Sequence, residues 1–148
     1  MRKKDLWFYK NRDPDGLIHL RSNTSIEAIP DHPGAYVFGT SDGTRLIYPN
    51  GKTPIFYIGR SSNLYRRILR HFHRIQRVEG DDTWWVKKYE YAAAFGATIA
   101  WYSIRCNQST ESLEADLVDE FYRCYYSIPI ANGAWPSGDK VVFDDDLL

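Results

Sequence analysis

Three groups of side chains in this 148-residue chain have types and spacings that could do chemistry. The first is basic. Residues 43–78 hold Arg45, Lys52, Arg60, Arg66, Arg67, Arg70, Arg74 and Arg77 without an acid, and six of these eight are arginines within 60–77, joined by His71 and His73. A guanidinium presents a planar fork of donors that matches phosphate oxygens, so such a block suits contacts to a polyanion. It suits a solvated helix face equally well, and the chain supplies acids to pair with it. Residues 111–148 carry nine acids against Arg123 and Lys140. The second group is a lone carboxylate. On a helix over about 109–126, Leu113, Leu117, Val118, Phe121 and Tyr125 fill one apolar arc, and Glu114 falls in its middle. Burying that carboxylate is costly unless a cation meets it, either a basic side chain or a metal ion. The third group is Arg67 and His71, one turn apart on the shoulder of a helical stripe made by Leu64, Ile68, Phe72 and Ile75. A shoulder position lets a long side chain run along the core to a rim. Arg67, His71 and Glu114 are therefore expected to converge on one edge of a sheet. The plainer alternatives are a packed histidine and a buried Glu–Arg pair.

The elements that must position these groups are few. Ala35–Phe38, 54–59 and 97–104 are apolar runs bounded by turn residues and read as strands, with 45–49 a possible ribbon. Ile29-Pro-Asp-His-Pro-Gly34 is a stiff entry to the first of them. Ser61-Ser-Asn63 caps a helix from Leu64 to Arg77. Thr83 caps a second helix that ends at Gly96, and Ser109 or Thr110 opens the third. Three strands interleaved with three helices predict a single-domain α/β sandwich with a small three-stranded, mostly antiparallel sheet. Residues 1–28 read as an N-terminal extension, 29–133 as the domain and 134–148 as an acidic tail. The composition, 43% apolar and 26% charged with two cysteines, excludes a disordered chain and a disulfide scaffold. No apolar run reaches membrane-spanning length, and Cys106 and Cys124 fit reduced thiols, so a cytoplasmic location is expected.

Gly34-Ala-Tyr36 in one strand and Tyr57-Ile-Gly59 in the next lead to the helix with Arg67, then Glu114, then Asn132. This order resembles the catalytic domain of GIY-YIG endonucleases. The stretch Ile29-Pro-Asp-His-Pro-Gly-Ala-Tyr-Val-Phe38 is similar to the entry of the nuclease half of bacterial excinuclease C. So is Tyr57-Ile-Gly-Arg-Ser-Ser-Asn-Leu-Tyr-Arg-Arg67 to that group's second motif, and Leu113-Glu114-Ala-Asp-Leu117 to its acidic helix. The likeness covers about residues 29–133. The first triplet departs from the pattern in its central residue, and the intervals Tyr36–Tyr57 and Glu114–Asn132 are longer.

The resemblance implies metal-assisted hydrolysis of a nucleic-acid phosphodiester, DNA in the first place, in a repair or restriction setting. Glu114 would hold one Mg²⁺ or Mn²⁺, and Arg67 would grip the scissile phosphate. Tyr36 would act as base or orient the water, helped by positive charge from Arg60, His71 or the metal. Tyr57 would orient the nucleophile, Asn132 would brace the site, and Arg60, Arg66, Arg70 and Arg74 would contact the polynucleotide. Specificity would come from a homodimer or a protein partner. The alternative is a catalytically inactive nucleic-acid- or partner-binding module on the same fold. A thiol or serine hydrolase has little support, since the cysteines lack an evident His partner and no nucleophile elbow appears.

Overall fold

The computed structural model describes residues 1–20, 26–77 and 87–133. Turn residues and apolar runs set its strands: β1 Gly16–His19, β2 Gly34–Gly39, β3 Leu46–Tyr48, β4 Gly51–Thr53, β5 Ile55–Ser61 and β6 Thr98–Ser103. Its helices are α1 Leu64–Arg77, α2 Lys87–Phe95 and α3 Thr110–Tyr125, after a single 3-10 turn at Lys3–Leu6. The main sheet has the order β1-β6-β2-β5 and is antiparallel throughout, with β3 and β4 forming a separate two-stranded ribbon. Thr83 and the acidic tail 134–148 lie outside the described residues.

Helices cover both faces of the sheet. On one face Ala35, Val37, Ile58, Ala100 and Tyr102 pack with Leu113, Leu117, Val118 and Phe121 of α3 and with Leu6, Phe8 and Tyr9. On the other, Tyr36, Phe38, Tyr57, Ile99 and Trp101 pack with Leu64, Ile68 and Phe72 of α1 and Ala92 of α2. A central strand covered on both sides has no polar face to show, which is why β2 is buried at all six positions and reads as a continuous apolar run.

Among the described residues the α/β class, the antiparallel sheet and three helices agree with the sequence reading, but the sheet has four strands rather than three. The added strand is β1, whose Leu17 pairs with Ala100 and whose Ile18 pairs with Ile99. Three of its four residues are only partly buried and His19 is exposed, so neither an alternating nor a continuous apolar pattern announced it. Some described residues ahead of 29 enter the core. Leu6, Phe8 and Tyr9 are core residues, and the Phe8 ring meets Phe121 edge-on with centroids 5.5 Å apart.

Local chemistry explains the ends of the helices. Asn63 caps α1, its Oδ1 accepting from Arg66 N at 3.0 Å. The stiff Pro30–Gly34 entry adds to this cap, because Leu64 N donates to His32 O and Tyr65 N to Pro30 O. Gly96 at φ +74° ends α2 as glycine does most cheaply. Ser109 caps α3 by accepting from Ser112 N at 3.0 Å.

Candidate active site

β2 and β5 pair so that Tyr36 lies opposite Gly59. A Cβ on residue 59 would sit 2.6 Å from Tyr36 Cζ and Oη and 2.8 Å from Tyr57 Cε1. The missing side chain therefore lets the Tyr36 ring lie across the neighbouring strand. The phenol then reaches α1, where Tyr36 Oη and His71 Nε2 are 2.7 Å apart. The other imidazole nitrogen, Nδ1, is 2.9 Å from Tyr89 Oη on α2. His71 is 1% exposed, so this is a buried phenol–imidazole–phenol chain.

Tyr57 stands beside it, its ring centroid 6.1 Å from that of Tyr36. It is 9% exposed, whereas Tyr36 is fully buried. Lys88 Nζ donates to Tyr57 Oη at 3.4 Å and lies 4.7 Å above the Tyr57 ring and 5.4 Å above the Tyr89 ring. Arg67, one turn before His71 on α1, is 5% exposed. On the outward face of the same helix Arg66, Arg70 and His73 are exposed and Arg74 is half-buried, close to the projected pattern.

Glu114 is carried by α3. Successive strand residues point to opposite faces, so Arg60 leaves β5 on the side away from Tyr57 and Gly59, toward α3. There its Nη1 lies 3.2 Å from Glu111 Oε1 and its Nε 3.8 Å from Glu114 Oε1. Glu114 is 7% exposed, so the middle of the apolar arc proves to be a buried position met by at least one cation, a basic side chain. Glu111 titrates below the usual carboxylate range, first because backbone amide at the start of α3 bonds it and then because of Arg60. Arg60 is thus turned away from the tyrosines it was expected to assist. Arg67 and His71 are carried by α1 and Glu114 by α3, the helices that pack on the two faces of the sheet. β5 is the edge strand of the described sheet, so both layers abut that border.

Asn132 closes the border from outside. Its Oδ1 accepts from Ile58 N at 3.0 Å and its Nδ2 donates to Ile58 O at 2.8 Å, while Ala131 N donates to Phe56 O at 2.8 Å. The side-chain amide reproduces a strand partner for the residue next to Tyr57. Among the described residues, no cluster of three or more His, Cys, Asp and Glu side chains forms a ready ligand set for a metal.

Two members of the cluster, Lys88 and Tyr89, did not emerge from the sequence. Lys88 lies one turn before the buried Ala92, and a charge on the apolar side of a helix is the signal that singled out Glu114. Applied to α2, the same test would have found it.

No family model, curated protein or solved structure matches this chain. No described helix is long and apolar enough to cross a membrane.

Proposed function

We propose that the chain is a divalent-metal-dependent endonuclease of the GIY-YIG type that hydrolyses phosphodiester bonds of DNA. The reading is carried by one observation. Tyr36, Tyr57 and His71, drawn from three separate segments, meet in a buried polar cluster, with Tyr36 Oη 2.7 Å from His71 Nε2 beneath an arginine-rich helix. A buried phenol needs a partner for its hydroxyl, and here that partner is an imidazole, a group able to take up a proton. Tyr57, the less buried phenol, is available to orient an attacking water, and Tyr36 can relay a proton by accepting one at Oη as its own hydroxyl proton passes to His71 Nε2 within hydrogen-bond reach. Arg67 supplies a guanidinium for the phosphoryl oxygens, and the exposed Arg66 and Arg70, with Arg74, supply phosphate contacts that hold the strand. Arg60 lends its charge through the α3 layer, and Asn132 keeps β5 in place. A hard dication prefers oxygen donors, and the Glu114 carboxylate fits that preference as a single protein ligand. When bound, Mg²⁺ or Mn²⁺ would neutralise charge on the phosphate and on the departing oxygen. Sequence or structure selectivity would then come from a second copy or a partner protein.

The Arg60 bridge to Glu111 and Glu114 favours a second reading, a binding module without turnover, because a protein cation already serves the carboxylate. Incubating the chain with supercoiled plasmid, linear single strands and branched duplexes, with Mg²⁺, Mn²⁺ or a chelator, separates the two. Cleavage that stops with chelator, and that Glu114→Gln abolishes while DNA binding persists, supports the nuclease. Binding without cleavage under either metal overturns it in favour of the module.

A further inference from the structure

We infer that Lys88, from α2, is the positioning residue that sets the charge state and orientation of Tyr57, in place of Arg60 from β5. Its catalytic consequence rests on the phosphodiester-hydrolysis reading; the electrostatic pairing itself does not. The residue next to the second glycine, Arg60, is the basic group that sequence proximity would assign to the phenols. Strand alternation removes it from them: Arg60 faces α3 and is shared by Glu111 and Glu114. The neighbouring layer delivers a cation instead. Lys88 is 3% exposed, its Nζ is 3.4 Å from Tyr57 Oη, and it lies over both the Tyr57 and Tyr89 rings.

Three consequences follow from that placement. An ammonium held against a phenol oxygen favours the phenolate, and away from water the attraction is stronger than it would be at the surface. The contact with the ring face fixes the tilt of Tyr57 as well as its charge. Because Tyr89 bonds His71 and shares the same ammonium, α2 ties the surroundings of both motif tyrosines together. Tyr57 is faced by Tyr36 and Phe38 from β2 and by Lys88 from α2; Tyr89 of α2 shares the ammonium and bonds His71 of α1, one turn from the buried Arg67. Tyr57, the phenol with some exposure, is then the one prepared to meet an attacking water, and Tyr36 supports it through His71.

The test labels tyrosine Cζ with ¹³C in the full chain, assigns Tyr57 by its loss in Tyr57→Phe, and follows its ionisation in wild type, Lys88→Met, Lys88→Gln and Lys88→Arg. Removing the ammonium should move the Tyr57 transition upward by about one pH unit or more, and Lys88→Arg should restore it. In cleavage assays Lys88→Met should lower kcat by about 10²-fold with KM little changed, again rescued by arginine. Melting curves show which variants are folded, and Lys88→Gln serves if Lys88→Met is not. An unchanged Tyr57 transition in a folded Lys88 variant overturns the pairing. A normal kcat in such a variant, with wild type active, overturns its catalytic part. If wild type cleaves nothing, the nuclease reading fails and the Tyr57 signal alone decides the pairing.

Discussion

At Gly59 a hydrogen stands where the Tyr36 phenol needs the space. Gly59→Ala would press a methyl to 2.6 Å from Tyr36 Oη, and the ring is anchored by a central strand, so it cannot swing clear. The substitution should cost about 1–3 kcal/mol in urea denaturation and pull the phenol off His71, lowering any cleavage rate by more than the stability loss explains. Asn132 is the second sensitive residue. Asn132→Ala leaves Ile58 N and O without their side-chain partner, at a cost of about 1–3 kcal/mol. Asn132→Asp should be nearly as damaging, since it keeps the acceptor but sets a carboxylate oxygen against Ile58 O. Denaturation of the two variants side by side checks whether both prongs of the amide matter.

Among the elements, α1 and α3 carry opposite charge to the border formed by β5. Arg66 and Arg70 lie on the exposed face of α1, so Arg66→Gln and Arg70→Gln should each flatten the dependence of log affinity on log salt by about 0.9 if each contacts one phosphate. Equal salt slopes in wild type and variants would remove α1 from the interface. On α3 the lowered titration of Glu111 fixes a pH window. A carboxyl whose folded value lies below its unfolded one gives stability that is present above about pH 4.5 and lost as pH falls through the folded value. The Arg60 bridge should therefore hold at neutral pH and loosen only in acid, which ¹³C-carboxyl chemical shifts would follow.

The helices were also the most legible elements. Leu64 to Arg77 could be bounded in the sequence because the cap at Asn63 and the period of Leu64, Ile68 and Phe72 agree. Glu114 was legible as a buried charge because only helical geometry puts it among Leu113, Leu117 and Phe121. The direction of Arg60 was harder. One residue of strand register decides whether it faces the tyrosines or α3, and proximity in sequence to Tyr57 points the wrong way. Lys88 carries a local signature, a charge on the apolar side of α2, but its partner Tyr57 is distant in the chain; β1 depends on β6 and carries little local signature of its own.

The molecule as a whole buries two further phenols in the core cluster that holds the apolar side of α3. Burial raises Tyr48 and Tyr102 well above the ordinary phenol range, as each is desolvated in the α3 layer. A raised folded value gives stability that is complete below about pH 10 and falls as pH rises past it, because the unfolded chain ionises first. The melting temperature should thus be flat near pH 8 and decline above about pH 10. Among the described residues Tyr102 Oη has no hydrogen-bond partner, whereas Tyr48 donates to Ile55 O and accepts from Ile130 N. Tyr102→Phe should therefore be neutral or stabilising at pH 7 and should soften the alkaline decline, while Tyr48→Phe should destabilise at pH 7, with the loss shrinking as pH rises past about 10. Calorimetry on the pair distinguishes burial from bonding.

The clasp at Ala131 and Asn132 has a bearing on solubility. A chain trimmed before residue 131 would leave the backbone from Phe56 to Ile58 bare along an apolar rim. Such a rim recruits the same strand from another molecule, so the shortened protein should form edge-joined oligomers in light scattering where the intact one does not.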